Sequence, residues 1–279
     1  MTLRPLRRVS VPEAIRQHRD AWLADLQHAL TAPGADWSAI TAETLYGLSY
    51  PGQGTLAERL ADPALPLTAR IALESLDPRH VTLEPEYYAE IDEARFARVK
   101  PLLWLWYSFD RLPLGGQHVD LGIEFRRLLA PHIFARVGER FKCFQHVEFS
   151  FGYGMEVGDD VVVHRHVLLD DRGGIVLGNR VSISDYANIY SHTHSIVEQK
   201  DVTTLQTVLE DDVRITYHAT VLAGVRVGEN GMVGANALAT KDVRPFHVHV
   251  GIPAKSIRVK PNAPSAHTST FRTPRHSES

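Results

Sequence analysis

Five histidines fall between positions 164 and 218: His164, His166, His192, His194 and His218. His192 and His194 stand two apart, so an extended strand would place them on one face. An imidazole titrates near neutral pH and can take the proton of a hydroxyl as that hydroxyl attacks. Three histidines around an open position would instead hold a catalytic zinc. Exposed loop histidines are the plainest reading of all. Asp170 and Asp171 form an acidic pair that could orient a histidine, bond an acceptor hydroxyl, or cap a solvated corner. Further on, Lys241, Lys255 and Arg258 suit phosphate groups, Arg258 as a rigid fork. Each of them alone is an ordinary surface charge.

The elements that must position these side chains are set by a count in sixes. Leu209, Ile215, Val221, Val227, Val233 and Ala239 are six apart, and the residue four places after each is small or β-branched. A period of six fits neither an α-helix nor one long strand. It is the mark of a hexapeptide β-helix, in which each hexad makes one short side of a coiled prism and stacked coils bury a continuous core. The same period links Val157, Val163 and Leu169, then Leu177, Ile183 and Ile189 after an eight-residue step. Asp170 to Gly174 therefore occupies a corner loosened by two residues. The pattern lapses from Ser195 to about Val208, which predicts a loop leaving the prism just after the two histidines. Twelve hexads correspond to about four coils at three per coil.

Residues 1–134 read as helical and irregular. Pro12 stands at a helix start, Leu67 to Leu76 and Ile91 to Trp106 are further helix candidates, and Pro51 to Gly54 is a break. The apolar run from Pro101 to Phe109 is too short to span a bilayer, which needs roughly 20 residues, and reads as a buried helix. No secretory leader is visible. Residues 135–260 hold the β-helix, and residues 261–279, rich in Ser, Thr, Pro and His, read as disordered.

The chain has 279 residues, 44% hydrophobic and 23% charged, with a formal net charge of −3. That is a globular composition with no basic excess, so nucleic acid is not an expected partner. A lone cysteine, Cys143, excludes an internal disulfide and any cysteine-rich zinc site. It fits a reducing cytoplasm, and its default state is buried and inert.

Three segments carry a resemblance to a known family: Gly178 to His194, Val221 to Asp242 with its Thr240-Lys241-Asp242, and Gly251 to Arg258 with Gly251-Ile252-Pro253-Ala254-Lys255. Together they resemble the hexapeptide-repeat acyltransferases, close to the maltose, galactoside and nodulation-factor O-acetyltransferases. The resemblance covers about residues 140–260. It implies a left-handed parallel β-helix, mainly β with a helical N-terminal region, assembled as a homotrimer with active sites between subunits. It also implies transfer of an acyl group from acetyl-coenzyme A to a sugar or glycan hydroxyl, with no metal.

His194 matches the family's catalytic base, with His192 its rival. His164 and His166 fall where the sugar enzymes carry asparagines lining the acceptor pocket, and Asp170 and Asp171 are further acceptor-side candidates. Tyr217, Ala235, Thr240, Lys241, Lys255 and Arg258 match positions that contact coenzyme A. Tyr217 and Thr216 depart from the family's Gly-Ser pair, and Lys255 stands where the galactoside branch has arginine. A serine O-acetyltransferase would need a histidine where Asp171 stands. A γ-class carbonic anhydrase would need a pair of histidines five apart, which is missing. A non-catalytic β-helix binding module would not bind acetyl-coenzyme A.

Overall fold

A computed structural model describes residues 11–198 and 200–265. Most of the predicted tail, residues 266–279, lies outside the described residues; Pro261 to Ser265 lead away from the last strand in a turn.

The sixes become three flat faces of parallel strands. Face one stacks Arg136–Val137, Met155–Val157, Ile175–Leu177, Thr207–Leu209 and Arg226–Val227; face two runs from Lys142–Cys143 to His247–Val250; face three stacks Glu148–Phe149, Leu168–Asp170, Asn188–Tyr190, Thr220–Val221 and Leu238–Ala239. A final strand, Lys255–Val259, folds back antiparallel on face two. The aliphatic residue of each hexad from Val157 to Ala239 points inward and is at most 1% exposed. Each such Val, Leu or Ile contributes about 1.5–3 kcal/mol by leaving water.

The prism has five complete coils and the start of a sixth, longer than the four expected. The extra coil at the front is built on Val137, Cys143 and Phe149, again six apart, followed by an eight-residue step to Val157. A cysteine and a phenylalanine in place of aliphatic residues hid it. Cys143 is thus a core residue of the prism, and burial pushes its thiol well above the usual range.

Corners require a left-handed backbone at one residue. Between faces one and two that residue is Arg140, Asp160, Arg180, Asp212, Asn230 or Phe246, and between faces two and three it is His146, His166, Tyr186, His218 or Asn236. Asp, Asn and His tolerate this region better than most side chains. The larger ones stack on the coil above. Arg140 pairs with Asp160 at 2.7 Å and Arg180 with Asp212 at 2.8 Å along one edge. Along the next edge His146, His166, Tyr186 and His218 form a ladder of stacked rings with centroids 4.8–4.9 Å apart.

The helices are α1 (Glu13–Thr31), α2 (Trp37–Ser49), α3 (Leu56–Leu60), α4 (Leu67–Glu74), α5 (Glu93–Arg111), α6 (Pro113–Gln117) and α7 (Val119–Ile133). They close the open front of the first coil, as a solenoid end requires. The apolar run at Pro101 to Phe109 lies in α5. Its Trp106 packs edge-on to Phe149 with centroids 5.4 Å apart, and one hydrophobic core runs from α1 into the coils without interruption. Beneath it sits a buried ion pair: Arg126 Nε donates to Asp110 at 3.0 Å, and Asp110 also accepts from the His146 backbone N–H at 2.7 Å. Burial raises the Asp110 carboxyl, against the pull of Arg126. No helix among the described residues is long and apolar enough to cross a membrane.

Candidate functional site

The corner between faces three and one gathers the polar chemistry. After Asn188–Tyr190 the chain leaves the prism as a hairpin, His192–His194 paired antiparallel with Val202–Thr204. The predicted loop is therefore an ordered ribbon at its root. Its base is stitched to the corner below. Ser191 Oγ accepts from the Gly173 N–H at 2.8 Å and donates to the Asp170 carbonyl, while the Leu205 N–H donates to the Ser191 carbonyl at 2.8 Å. Thr207, fully buried, donates to the Tyr190 carbonyl at 2.6 Å and accepts from Gly224 at 3.0 Å. Gly173 is needed for this approach, because a Cβ there would lie 2.6 Å from the Leu205 nitrogen.

Asp170 and Asp171 divide their tasks. Asp170, 2% exposed, accepts from Ser150 Oγ at 2.8 Å with one oxygen and contacts His192 Nδ1 with the other. This pairing fixes the imidazole's orientation and favours a proton on Nδ1, which leaves Nε2 as the basic nitrogen. Asp171 accepts the backbone N–H groups of Phe151 at 2.7 Å and Gly154 at 2.9 Å. Burial pushes its carboxyl up to about 6, against those N–H groups. Both aspartates are occupied inside the corner, so neither presents a carboxylate to an acceptor. His194, exposed, lies edge-on to His192 with ring centroids 5.1 Å apart.

The helical region reaches the same corner. Arg172, its side chain only 7% exposed, ion-pairs with Glu90 and lies 4.0 Å over the Tyr88 ring. Nothing in the six-residue period points to this contact; the two extra residues of the Asp170 to Gly174 corner were its only trace in the sequence.

The remaining candidates divide between the two edges of face three. Thr240 and Lys241 are exposed on the His192 edge, two coils further on. His164, His166, Tyr217 and Ala235 lie on the opposite edge, where His164 stacks on Phe144 and His166 belongs to the ring ladder. Lys255 and Arg258 are exposed on the last strand. One copy of the chain thus sets His192 against Asp170 with His194 beside the His192 ring, but leaves His164 and His166 across the width of a face from them. Among the described residues, no cluster of three or more His, Cys, Asp or Glu side chains is arranged to hold a metal ion.

Searched against protein-family models, the chain matches none. It is 26% identical over 140 residues to the galactoside O-acetyltransferase of Escherichia coli, a stretch that is 49% of this chain and 69% of that protein. Among solved structures it superposes on a maltose O-acetyltransferase from Clostridium difficile 630 with a TM-score of 0.54 at 23% identity, over 62% of this chain and 91% of that one. A hexapeptide-repeat acetyltransferase from Vibrio cholerae, solved with acetyl-coenzyme A, gives a TM-score of 0.53 at 24% identity, over 62% and 90%. The fold is the left-handed parallel β-helix of the hexapeptide-repeat acetyltransferases, preceded here by a helical region.

Proposed function

We propose that the protein is a cytoplasmic O-acyltransferase that moves an acetyl group from acetyl-coenzyme A to a hydroxyl of a sugar or glycan. The observation that carries this reading is the ordered hairpin at the face-three corner, with two histidines at its root and a buried carboxylate against one of them. That the relatives include a galactoside O-acetyltransferase, and a neighbour solved with acetyl-coenzyme A, supports it. Thioester chemistry brings its own leaving group, so a base and a positioned hydroxyl suffice, with no covalent enzyme intermediate and no metal. His194 takes the hydroxyl proton as the oxygen attacks the thioester carbonyl, and His192, held by Asp170, fixes the neighbouring ring. Backbone N–H groups at the corner serve the oxyanion. Thr240, Lys241, Lys255 and Arg258 meet the donor, with Tyr217 and Ala235 on the far edge of the face. In a homotrimer, His164 and His166 of a neighbouring copy would complete the acceptor side.

A second reading makes His192 the base, favoured by the Asp170 contact at Nδ1. Thiol release from acetyl-coenzyme A with a panel of sugars separates the two. His194→Ala is expected to retain donor binding and lose roughly 10²–10⁴ in turnover, with a smaller loss in His192→Ala. The reverse order assigns the base to His192, and full activity in both variants refutes the mechanism. Sedimentation equilibrium tests the trimer.

A further inference from the structure

Where α5 and α7 pack together, Arg95, Arg98 and His132 line a cavity of about 240 Å³ with Ala135 and Tyr153 of the first coil. Arg95 and Arg98 stand three apart on α5, so one side of that helix carries both. Arg95 is held in place: its guanidinium lies 4.4 Å over the Tyr153 ring and donates to the Tyr153 carbonyl at 2.8 Å. The Arg98 guanidinium lies 5.7 Å from the centre of the Trp37 ring. His132, in the last turn of α7, packs edge-on to that same ring with centroids 5.5 Å apart.

This charge is not balanced locally. Among the described residues, no Asp or Glu lines the cavity, and neither Arg95 nor Arg98 makes a side-chain ion pair. The acids nearest to them and to Trp37 in sequence are committed elsewhere. Asp92 caps α5 through the Arg95 N–H at 3.0 Å, Asp36 caps α2 through the Ser38 N–H at 3.0 Å, and Glu93 lines a different cavity. The C-terminal end of α7 supplies a partial charge of only about −0.5, too little to offset two guanidinium groups. The imbalance shows at His132, whose imidazole is held below its ordinary value by burial and then by the charge of Arg98, with no carboxylate pulling the other way.

We infer that Arg95, Arg98 and His132 form a binding site for the phosphate group of a small molecule. The inference does not depend on the acyl-transfer reading, because the cavity shares no residue with the His192 corner or with the proposed donor contacts. Guanidinium groups grip phosphate oxygens with parallel N–H donors. Three basic side chains match the three terminal oxygens of a phosphate, where a carboxylate has two. The cavity is smaller than the roughly 300–1,000 Å³ of drug-sized sites, so it suits inorganic phosphate or the phosphate of one sugar unit rather than a nucleotide.

The test is calorimetric titration of inorganic phosphate, and separately of a hexose 6-phosphate, into the full chain at an ionic strength fixed with sodium chloride. Saturable binding at about 1 mM or tighter is expected for at least one of them. Arg98→Ala, at an exposed position in a helix that alanine favours, should weaken it about tenfold or more. Arg98→Lys, which keeps the charge and loses the fork, should cost less, about threefold. His132→Gln should weaken binding about threefold and carries the test if the Arg98 variants do not fold. Tighter binding of the hexose phosphate, lost in Arg98→Ala, assigns the site to a phosphorylated sugar; equal or weaker binding assigns it to free phosphate. No saturable binding of either probe overturns the inference. So does binding that Arg98→Ala and His132→Gln leave unchanged, which would place the phosphate on other basic residues.

Discussion

Asp170 and Asp171 are adjacent in sequence, yet one serves a side chain and the other the backbone. Asp170→Asn keeps the shape of the corner but removes the charge at His192 Nδ1. Turnover should fall about tenfold or more, with the Michaelis constant for acetyl-coenzyme A unchanged; steady-state kinetics on both substrates checks this. Asp171 predicts a pH effect on stability instead. Its folded carboxyl titrates at about 6 against an ordinary 3.8, so its contribution is full below about 3.8 and lost as the pH rises through 6. The melting-temperature gap between wild type and Asp171→Asn should therefore widen as the pH is lowered from 7 to 4, and a gap that narrows would contradict the assignment. The sequence displays both carboxylates but not this division, because each side chain's partner lies a full coil away.

At the scale of elements, the hairpin and its corner behave as one unit. Gly173→Ala drives a Cβ against the Leu205 backbone, and the expected outcome is a lower melting temperature together with lost turnover, as the ribbon carrying both histidines is displaced. Arg180→Ala, on the exposed Arg–Asp edge, should leave the melting temperature nearly unchanged, because exposed ion pairs are screened. The inward face of nearly every coil was legible from the period of six. The excursion was legible from the lapse after Ser195, but its hairpin pairing was not, since that pairing is local and the sequence from Ser195 to Val208 has no repeat. The ring ladder was not either, because corner residues are chosen for a left-handed backbone and for the ring one coil away. Even so, His146, His166 and Tyr186 are spaced by one coil length, a signal that a search for stacked rings could have used.

For the whole molecule, the continuity of the core matters most. Helices and coils share Trp106, Phe149 and their neighbours, so we propose that they unfold together; calorimetry should show a single transition, and two separated transitions would mean independent units. The helical region could be read as a cap from the sequence, but its contact with the His192 corner could not. That contact depends on Arg172, which looks like an ordinary surface charge until the fold places Tyr88 and Glu90 against it. The strand registers hold one more consequence. Val176 lies opposite Glu156 on one side and Val208 on the other, so a coil of 20 residues is followed by one of 32 with the stacking undisturbed. The surplus is confined to the hairpin, whose two ends return to neighbouring points. The ribbon is in effect an exchangeable cassette. Hairpin tips of other lengths and sequences, grafted between His194 and Val202 so that both histidines stay, should leave the scaffold's count intact, which makes this the natural place to reprogram the acceptor.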